Sequence, residues 1–345
     1  MVDTPDKILV IRLSSIGDIL LSTPFIRQLR IKFKNCQIDF VVRDKFKDLL
    51  VNNPYIDNLY ILKLSEADAL KNLKRRLQEI SYNTIFDLHN NLRSNYLRRI
   101  GARSVFSINK SKFKQTMLVY LKKNYYSKII PIPLRYLNVA KDYDVKDDSK
   151  GLELYWEEDT VITAENKIAE AGLQGIGQYL CLAPGAGFFT KRWPAENFSR
   201  LIELVNKEFN LPVVILGGDG DRETGKYLER QNSVFNLTGK LSLLETAHIL
   251  EKGMALVSND TGLMHMATAV KTPVLAIFGS TVREFGFFPF RSQSFVLENN
   301  ELSCRPCTHM GRKKCPKSHF KCMVDILTDQ VFEALKSFLW TSTNQ

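Results

Sequence analysis

Asp18, preceded by Gly17, stands where an apolar run, Lys7–Leu13, gives way through Ser14-Ser15-Ile16 to the helical spacing of Ile19–Phe33. Glycine allows a tight turn there, and a carboxylate at a helix start is favoured by the local dipole. Such an Asp can simply cap the helix. In a binding cleft it can also act as a general base. Asp87-Leu88-His89-Asn90-Asn91-Leu92-Arg93-Ser94 is a second strand end, with six polar side chains in eight residues. That density suits a polar pocket, although a lone histidine such as His89 is usually a structural hydrogen-bonder.

Further along, the chemistry turns towards phosphates. Ala183-Pro184-Gly185-Ala186-Gly187 leads into Thr190-Lys191-Arg192-Trp193-Pro194. Glycines let backbone amides approach an anion, and Lys191 or Arg192 can neutralise it. The run is neither a P-loop nor a dinucleotide-binding fingerprint, so ATPase and dehydrogenase chemistry lose support. Gly217-Gly218-Asp219-Gly220-Asp221-Arg222-Glu223 offers acids for ribose hydroxyls, or merely helix caps. Ser258-Asn259-Asp260-Thr261-Gly262-Leu263-Met264-His265 carries the strongest local signal: a strand end, a cap, and unpaired amides that form a seat for a pyrophosphate.

The elements that must hold these residues alternate between strand and helix. Lys7–Leu13, Gln37–Val42 and Thr84–Leu88 read as strands, with a charged helix at Ala67–Ile80. An acid-rich stretch, Lys141–Lys150 followed by Glu157-Glu158-Asp159, reads as a linker. The alternation then resumes: strands at Tyr179–Leu182, Pro212–Leu216, Val234–Leu237, Ala255–Ser258 and Val274–Phe278 are interleaved with helices, and an amphipathic helix closes the chain at Thr328–Trp340. This pattern predicts an α/β protein with two doubly wound parallel-sheet domains, 1–158 and 159–345, and ligands bound at the carboxyl ends of the strands.

Together these segments resemble the glycosyltransferase family of the ADP-heptose:lipopolysaccharide heptosyltransferases, in IRLSSIGDILLSTPFIRQLR, DLHNNLRS, APGAGFFTKRWPAENF, LGGDGDRE, NLTGKLSLLETAHIL and SNDTGLMHMATAVKTPVLAIFGST. The resemblance implies a GT-B fold, two Rossmann-like domains facing across a cleft, and metal-independent, inverting transfer from an ADP-sugar to the inner core on lipid A. By motif, it implies Asp18 as general base. It also implies Lys191, Asp260, Thr261, Gly262 and His265 at the donor diphosphate, and Glu223 at the ribose. The first domain, which holds the acceptor in that architecture, offers Asn90, Asn91, Arg93, Arg98 and Arg99. No catalytic cofactor is implied. The triplets Asp142-Tyr143-Asp144 and Asp219-Gly220-Asp221 are too common by chance to argue for a catalytic metal.

Composition sets the surroundings. Hydrophobic residues make up 44% and charged residues 25% of 345 residues, as in globular proteins with sizeable cores. Neither a secretory signal nor a membrane-spanning run is recognisable, so the expected location is cytoplasmic, peripherally associated with the inner face of the cytoplasmic membrane. The net charge is +11, with an isoelectric point near 9.2, which favours anionic partners. Ten cations between Arg93 and Lys128, with no acid among them, fit either a solvated helix face or an anionic membrane surface. No RNP, helix-turn-helix or zinc-finger pattern supports nucleic-acid binding. Cys304, Cys307, Cys315 and Cys322 are close enough in sequence to hold a structural Zn²⁺, to remain free thiols, or to pair; the three readings stay open.

Overall fold

The computed structural model describes residues 4–343 and divides into two compact units, Met1–Lys110 with Pro131–Trp156, and Ser111–Ile130 with Glu157–Gln345. The first unit is built on a five-stranded sheet of β1 (Lys7–Ile11), β2 (Gln37–Arg43), β3 (Asn58–Leu62), β4 (Thr84–Asp87) and β5 (Ser104–Ser107). Its order is β3-β2-β1-β4-β5, and every pairing is parallel. Parallel strands covered on both faces carry unbroken apolar runs, and Ile8, Leu9, Val10 and Ile11 are all fully buried. On one face Leu9, Ile11, Val41 and Ile85 pack with Leu73 and Leu77 of the helix Ala69–Gln78. On the other, Phe86 packs edge-on against Phe25 at 5.3 Å and against Tyr143 at 6.0 Å.

Tyr143 shows why the acid-rich stretch is not a linker. It lies in a turn of 3₁₀ helix, Asn138–Tyr143, buried on the first sheet. Asp148 and Glu153 then close on the buried Arg27, at 2.7 and 2.5 Å. A guanidinium taken out of water requires carboxylates, and these are its partners. Lys141–Lys150 thus belongs to the first unit, and the units part at Trp156/Glu157, two residues before the expected boundary at 158/159.

The second sheet comprises β6 (Leu180–Ala183), β7 (Val213–Ile215), β8 (Val234–Asn236), β9 (Ala255–Asn259), β10 (Val274–Phe278) and β11 (Ser294–Glu298). It runs β11-β10-β9-β6-β7-β8, again parallel throughout. β11 has no counterpart in the sequence reading, because Ser294 and Phe295 at this sheet edge are exposed and break the apolar run. The closing helix, Thr328–Thr343, buries Val331, Phe332, Leu335, Phe338 and Leu339 in this unit's core.

The basic stretch was expected to lie wholly in the first domain; the structure corrects this. Residues 111–130 pack with the second unit, where Leu118 and Val119 of the helix Lys112–Leu121 rest on Phe285. Among the described residues no helix is long and apolar enough to cross a membrane.

Candidate active site

In each sheet the strand order reverses beside the first strand of its unit, between β1 and β4 in one and between β6 and β9 in the other. Connections leave such a pair in opposite directions and open a crevice at the carboxyl ends, where α/β sheets bind ligands.

In the first unit, Arg12 follows β1 and is buried. Its Nη1 donates to the carbonyl of Leu88, beyond β4, at 2.6 Å, and its Nη2 meets Asp18 Oδ1 at 2.5 Å. Asp18 is not the helix cap. Ser15 occupies that position before the one-turn helix Ile16–Leu20, and Asp18 reaches back from the third residue. Its Oδ2 accepts the Ser15 amide at 3.1 Å and the Ser15 hydroxyl at 2.8 Å. Burial pushes the Asp18 carboxyl up, but the Arg12 guanidinium and the two Ser15 donors outweigh it and hold the group below the usual range. Asp18 is thus an aimed, ionised carboxylate.

His89 is near the same charges. Burial, reinforced by the cations Arg12 and Lys110, pushes its imidazole down to about 4. Its Nδ1 is buried without a hydrogen-bond partner. Asp87 organises the rest of the loop: it accepts the amides of His89 and Asn90 at 3.0 and 2.7 Å, the Ser94 hydroxyl at 2.9 Å, and Arg98 Nη1 at 3.3 Å. Asn91 caps the helix Leu92–Leu97 by accepting the Ser94 amide at 3.0 Å. Asn90, in left-handed backbone at φ 44°, donates to the Ile108 carbonyl at 2.9 Å. Asn90, Asn91 and Arg98 therefore shape the loop, whereas Arg93 and Arg99 present exposed cations. Arg98 and Arg99 line a cavity of about 430 Å³ beside β5.

In the second unit, Asn259 at the end of β9 stitches the crevice. Its Nδ2 donates to the Pro184 carbonyl at 2.8 Å, and its Oδ1 accepts the Trp193 amide at 3.0 Å. The loops after β6 and β9 are thereby fixed to each other. Lys191 Nζ meets Asp260 Oδ2 at 2.6 Å, and the Thr281 hydroxyl donates to the same oxygen at 2.7 Å. Thr261 then caps the helix Gly262–Ala269 without a side-chain bond to its amides, and Gly262 and Leu263 are half-exposed. This is a cation beside a helix start whose amides no cap side chain occupies, an anion seat by construction. His265 is buried one turn further on.

The acids of residues 219–223 separate clearly. Glu223 is exposed on the first turn of the helix Arg222–Leu228, and Asp219 pairs with Arg222 at 2.7 Å. Asp221 instead turns inwards, accepting the Gly218 amide at 3.0 Å. Burial pushes its carboxyl up against the opposing pull of that amide and Arg192. A Cβ on Gly185 would lie 2.1 Å from Asp221 Oδ1, and one on Gly217 2.8 Å from Oδ2. Both glycines are thus required by Asp221. The sequence offered Asp221 only as one of several loop acids, and Arg12 and Ser15 not at all; the paired glycines 185 and 217 are the signal that sets Asp221 apart.

Of the three readings left open for the four cysteines, pairing is not what the structure has: no disulfide joins them. Among the described residues no three His, Cys, Asp or Glu side chains are gathered to hold a metal ion. All four cysteines are free, Cys322 within the second unit's apolar core, and the contact that Cys304 Sγ makes with His319 Nε2 is 3.8 Å. Burial pushes the Cys322 thiol up to about 12, with the neighbouring thiols of Cys307, Cys315 and Cys304 adding to the shift.

Residues 70–318 match the family model of glycosyltransferase family 9 (heptosyltransferase), and the chain belongs to that family. It is 27% identical over 354 residues to lipopolysaccharide heptosyltransferase 1 of Campylobacter coli, a match covering 96% of this chain and 98% of the relative. Its fold is similar to that of a family 9 glycosyltransferase from Veillonella parvula DSM 2008, with TM-score 0.82, 23% identity, and 97% and 98% of the two chains covered. It is also similar to that of the ADP-heptose lps heptosyltransferase II of E. coli, with TM-score 0.75, 21% identity, and 98% and 99% covered. The expected α/β architecture of GT-B type, with two parallel sheets, is the one these structures share.

Two measurements check the geometry. Gly185→Ala drives a methyl into Asp221 and should weaken ADP binding by calorimetry about tenfold, roughly 1.4 kcal/mol, while the protein stays folded; unchanged affinity would mean that the two loops do not form the seat. For His89, the folded value of about 4 lies below the ordinary 6.5. Stability from the neutral ring is therefore complete above pH 6.5 and is lost as pH falls towards 4. Thermal melts of His89→Gln should flatten this part of the stability profile, and an NMR titration should find the parent ring neutral at pH 5.5.

Proposed function

We propose that this glycosyltransferase transfers heptose from ADP-L-glycero-D-manno-heptose, with inversion and without a metal, to the inner core of lipopolysaccharide on lipid A. The observation that carries the reading is the second unit's seat: Lys191 against Asp260, at the start of the helix Gly262–Ala269. ADP-heptose is the donor named for the E. coli relative, and the L-glycero-D-manno form is the one the family resemblance implies. The acceptor class follows from the lipopolysaccharide relative. Because that acceptor is lipid-anchored, the enzyme works at the inner face of the cytoplasmic membrane.

In the proposed reaction the Asp18 carboxylate accepts the proton of the acceptor hydroxyl as its oxygen attacks the anomeric carbon. The bond from that carbon to the diphosphate oxygen breaks on the opposite side, and ADP departs with the electron pair. Negative charge grows on the diphosphate, so donors fixed in advance around it lower the barrier. Lys191 and the amides of Thr261 and Gly262 are those donors, with Asp260 positioning Lys191 and His265 backing the helix. Ribose contacts fall to the loop acids, Glu223 as the resemblance implies and Asp221 as the inward-facing alternative. Arg93 and Arg99 meet anionic groups of the acceptor on a loop held by Asn90, Asn91 and Arg98.

Asp18→Asn should lower turnover by at least about 10²-fold with ADP affinity nearly unchanged, the expected signature of losing a general base. Turnover close to that of the parent would remove Asp18 from the mechanism. Lys191→Ala should weaken ADP binding and slow transfer, because the phosphates lose a charge-assisted partner. ADP affinity measured by calorimetry should be the same with EDTA as with Mg²⁺. A requirement for the ion would instead point to Asp219 and Asp221 as metal ligands.

A further inference from the structure

We infer that residues 111–130 form a rigidly mounted membrane-docking element that seats the second unit on an anionic lipid bilayer. This deepens the reading of a lipid-anchored acceptor above and rests on that reading for its biological setting. Its physical basis, however, is the surface itself.

Large apolar side chains are exposed here to an unusual degree. Phe113 is 69% exposed, Tyr120 71%, Leu121 59% and Tyr125 49%. Phe113 and Tyr120 are seven residues apart on the helix Lys112–Leu121, two turns along the same side. The Phe113 ring lies 6.0 Å from that of Tyr125, which follows the helix. Ile129 is exposed on the same short segment, whereas single exposed apolar residues elsewhere need no explanation.

The element is fixed from beneath. Leu118 and Val119 are buried against Phe285 on the opposite helix face. Lys122 is spent internally: in left-handed backbone at the helix end, its Nζ donates to the carbonyls of Val119 at 2.9 Å, Cys304 at 3.0 Å and Pro306 at 2.6 Å. Asn124 donates to Glu284 at 2.9 Å. The exposed apolar face is therefore not a frayed segment awaiting a place in the core; its inward face already has one.

Charge selects the occupant. Lys112, Lys123 and Lys128 are exposed, and none of the ion pairs found among the described residues involves them. No Asp or Glu occurs between Asp87 and Asp142. A bilayer containing acidic phospholipid meets both features at once, with phosphates for the lysines and an apolar interior for Phe113, Tyr120 and Leu121. Nucleic acid would leave Leu121 and Ile129 without a stacking partner.

The test is flotation of the full chain with phosphatidylcholine vesicles, with and without phosphatidylglycerol. Binding should require phosphatidylglycerol and weaken as salt rises. The variant Lys112→Gln/Lys123→Gln/Lys128→Gln should lose about 10²-fold in vesicle partitioning, from roughly a fivefold contribution per lysine. Phe113→Ser/Tyr120→Ser/Leu121→Ser should also release the protein, at unchanged net charge. Lys34→Gln/Lys45→Gln/Lys71→Gln, an equal charge loss on the first unit, should float like the parent. ADP affinity, read in the same preparations, should match the parent in all three, which separates docking from folding and from the donor site. The proposal is overturned if the parent ignores phosphatidylglycerol vesicles, or if the serine variant floats as the parent does. It is equally overturned if the lipid-free parent is a dimer that the serine substitutions dissociate, which would make the face a contact between copies. None of these readouts uses sugar transfer, so a different donor or acceptor would leave the docking result standing.

Discussion

A buried guanidinium must be surrounded by oxygen, and in the first unit this requirement on Arg12 ties the candidate site together. Arg12 leaves β1 at the point where the sheet changes direction, and it satisfies one nitrogen on the Leu88 carbonyl beyond β4 and another on Asp18. The two strand ends on either side of the crevice are thus joined through a single side chain. Removing either partner would leave a desolvated charge, which typically costs about 3–5 kcal/mol. The same contact orients Asp18, keeps it ionised and helps hold His89 neutral. Position, charge state and loop geometry are three consequences of one buried cation.

The second unit solves the same topological problem with neutral groups. Asn259 uses its amide as a two-sided clamp, donating to Pro184 and accepting from Trp193. The charge beside this neutral stitch is carried by Lys191, paired with Asp260, which Thr281 in turn anchors. Backbone amides at the start of the helix Gly262–Ala269 add partial positive charge that needs no counterion.

Much of this was legible because parallel strands buried on both faces write themselves as apolar runs, and the polar residues that interrupt them mark the strand ends. Asp18, Lys191 and Asp260 are singled out as candidates in that way. Properties depending on distant partners were not legible. Arg12 reads as the tail of an apolar run until Leu88 is known to be beside it. Asp148 reads as part of a linker because Arg27, which requires it together with Glu153, is more than a hundred residues away. Charge patterning likewise flags the segment 111–130 as a surface but carries no record of which unit Leu118 and Val119 pack against. Cysteine spacing places four thiols near one another in sequence but carries no record that Cys322 is buried in the core.

The two ion pairs also behave differently once chemistry begins. In the proposed reaction, an arriving diphosphate competes with Asp260 for Lys191, and Lys191 can be shared because an ammonium carries three donors. As the bond to the sugar breaks and charge accumulates on the departing phosphate, that share grows. The contact is then stronger in the transition state than in the ground state, which is the condition for an interaction to accelerate the chemical step. Arg12 and Asp18 run the opposite course. When Asp18 takes the acceptor's proton its charge vanishes, while Arg12 stays protonated and buried with its ionic partner gone. The protonated carboxyl is therefore held against the same electrostatics that depressed its pKa, and it gives the proton up readily once product has left. A carboxylate with a low pKa is a weak base in isolation. Beside a guanidinium that cannot deprotonate, it is a base that resets itself after each transfer.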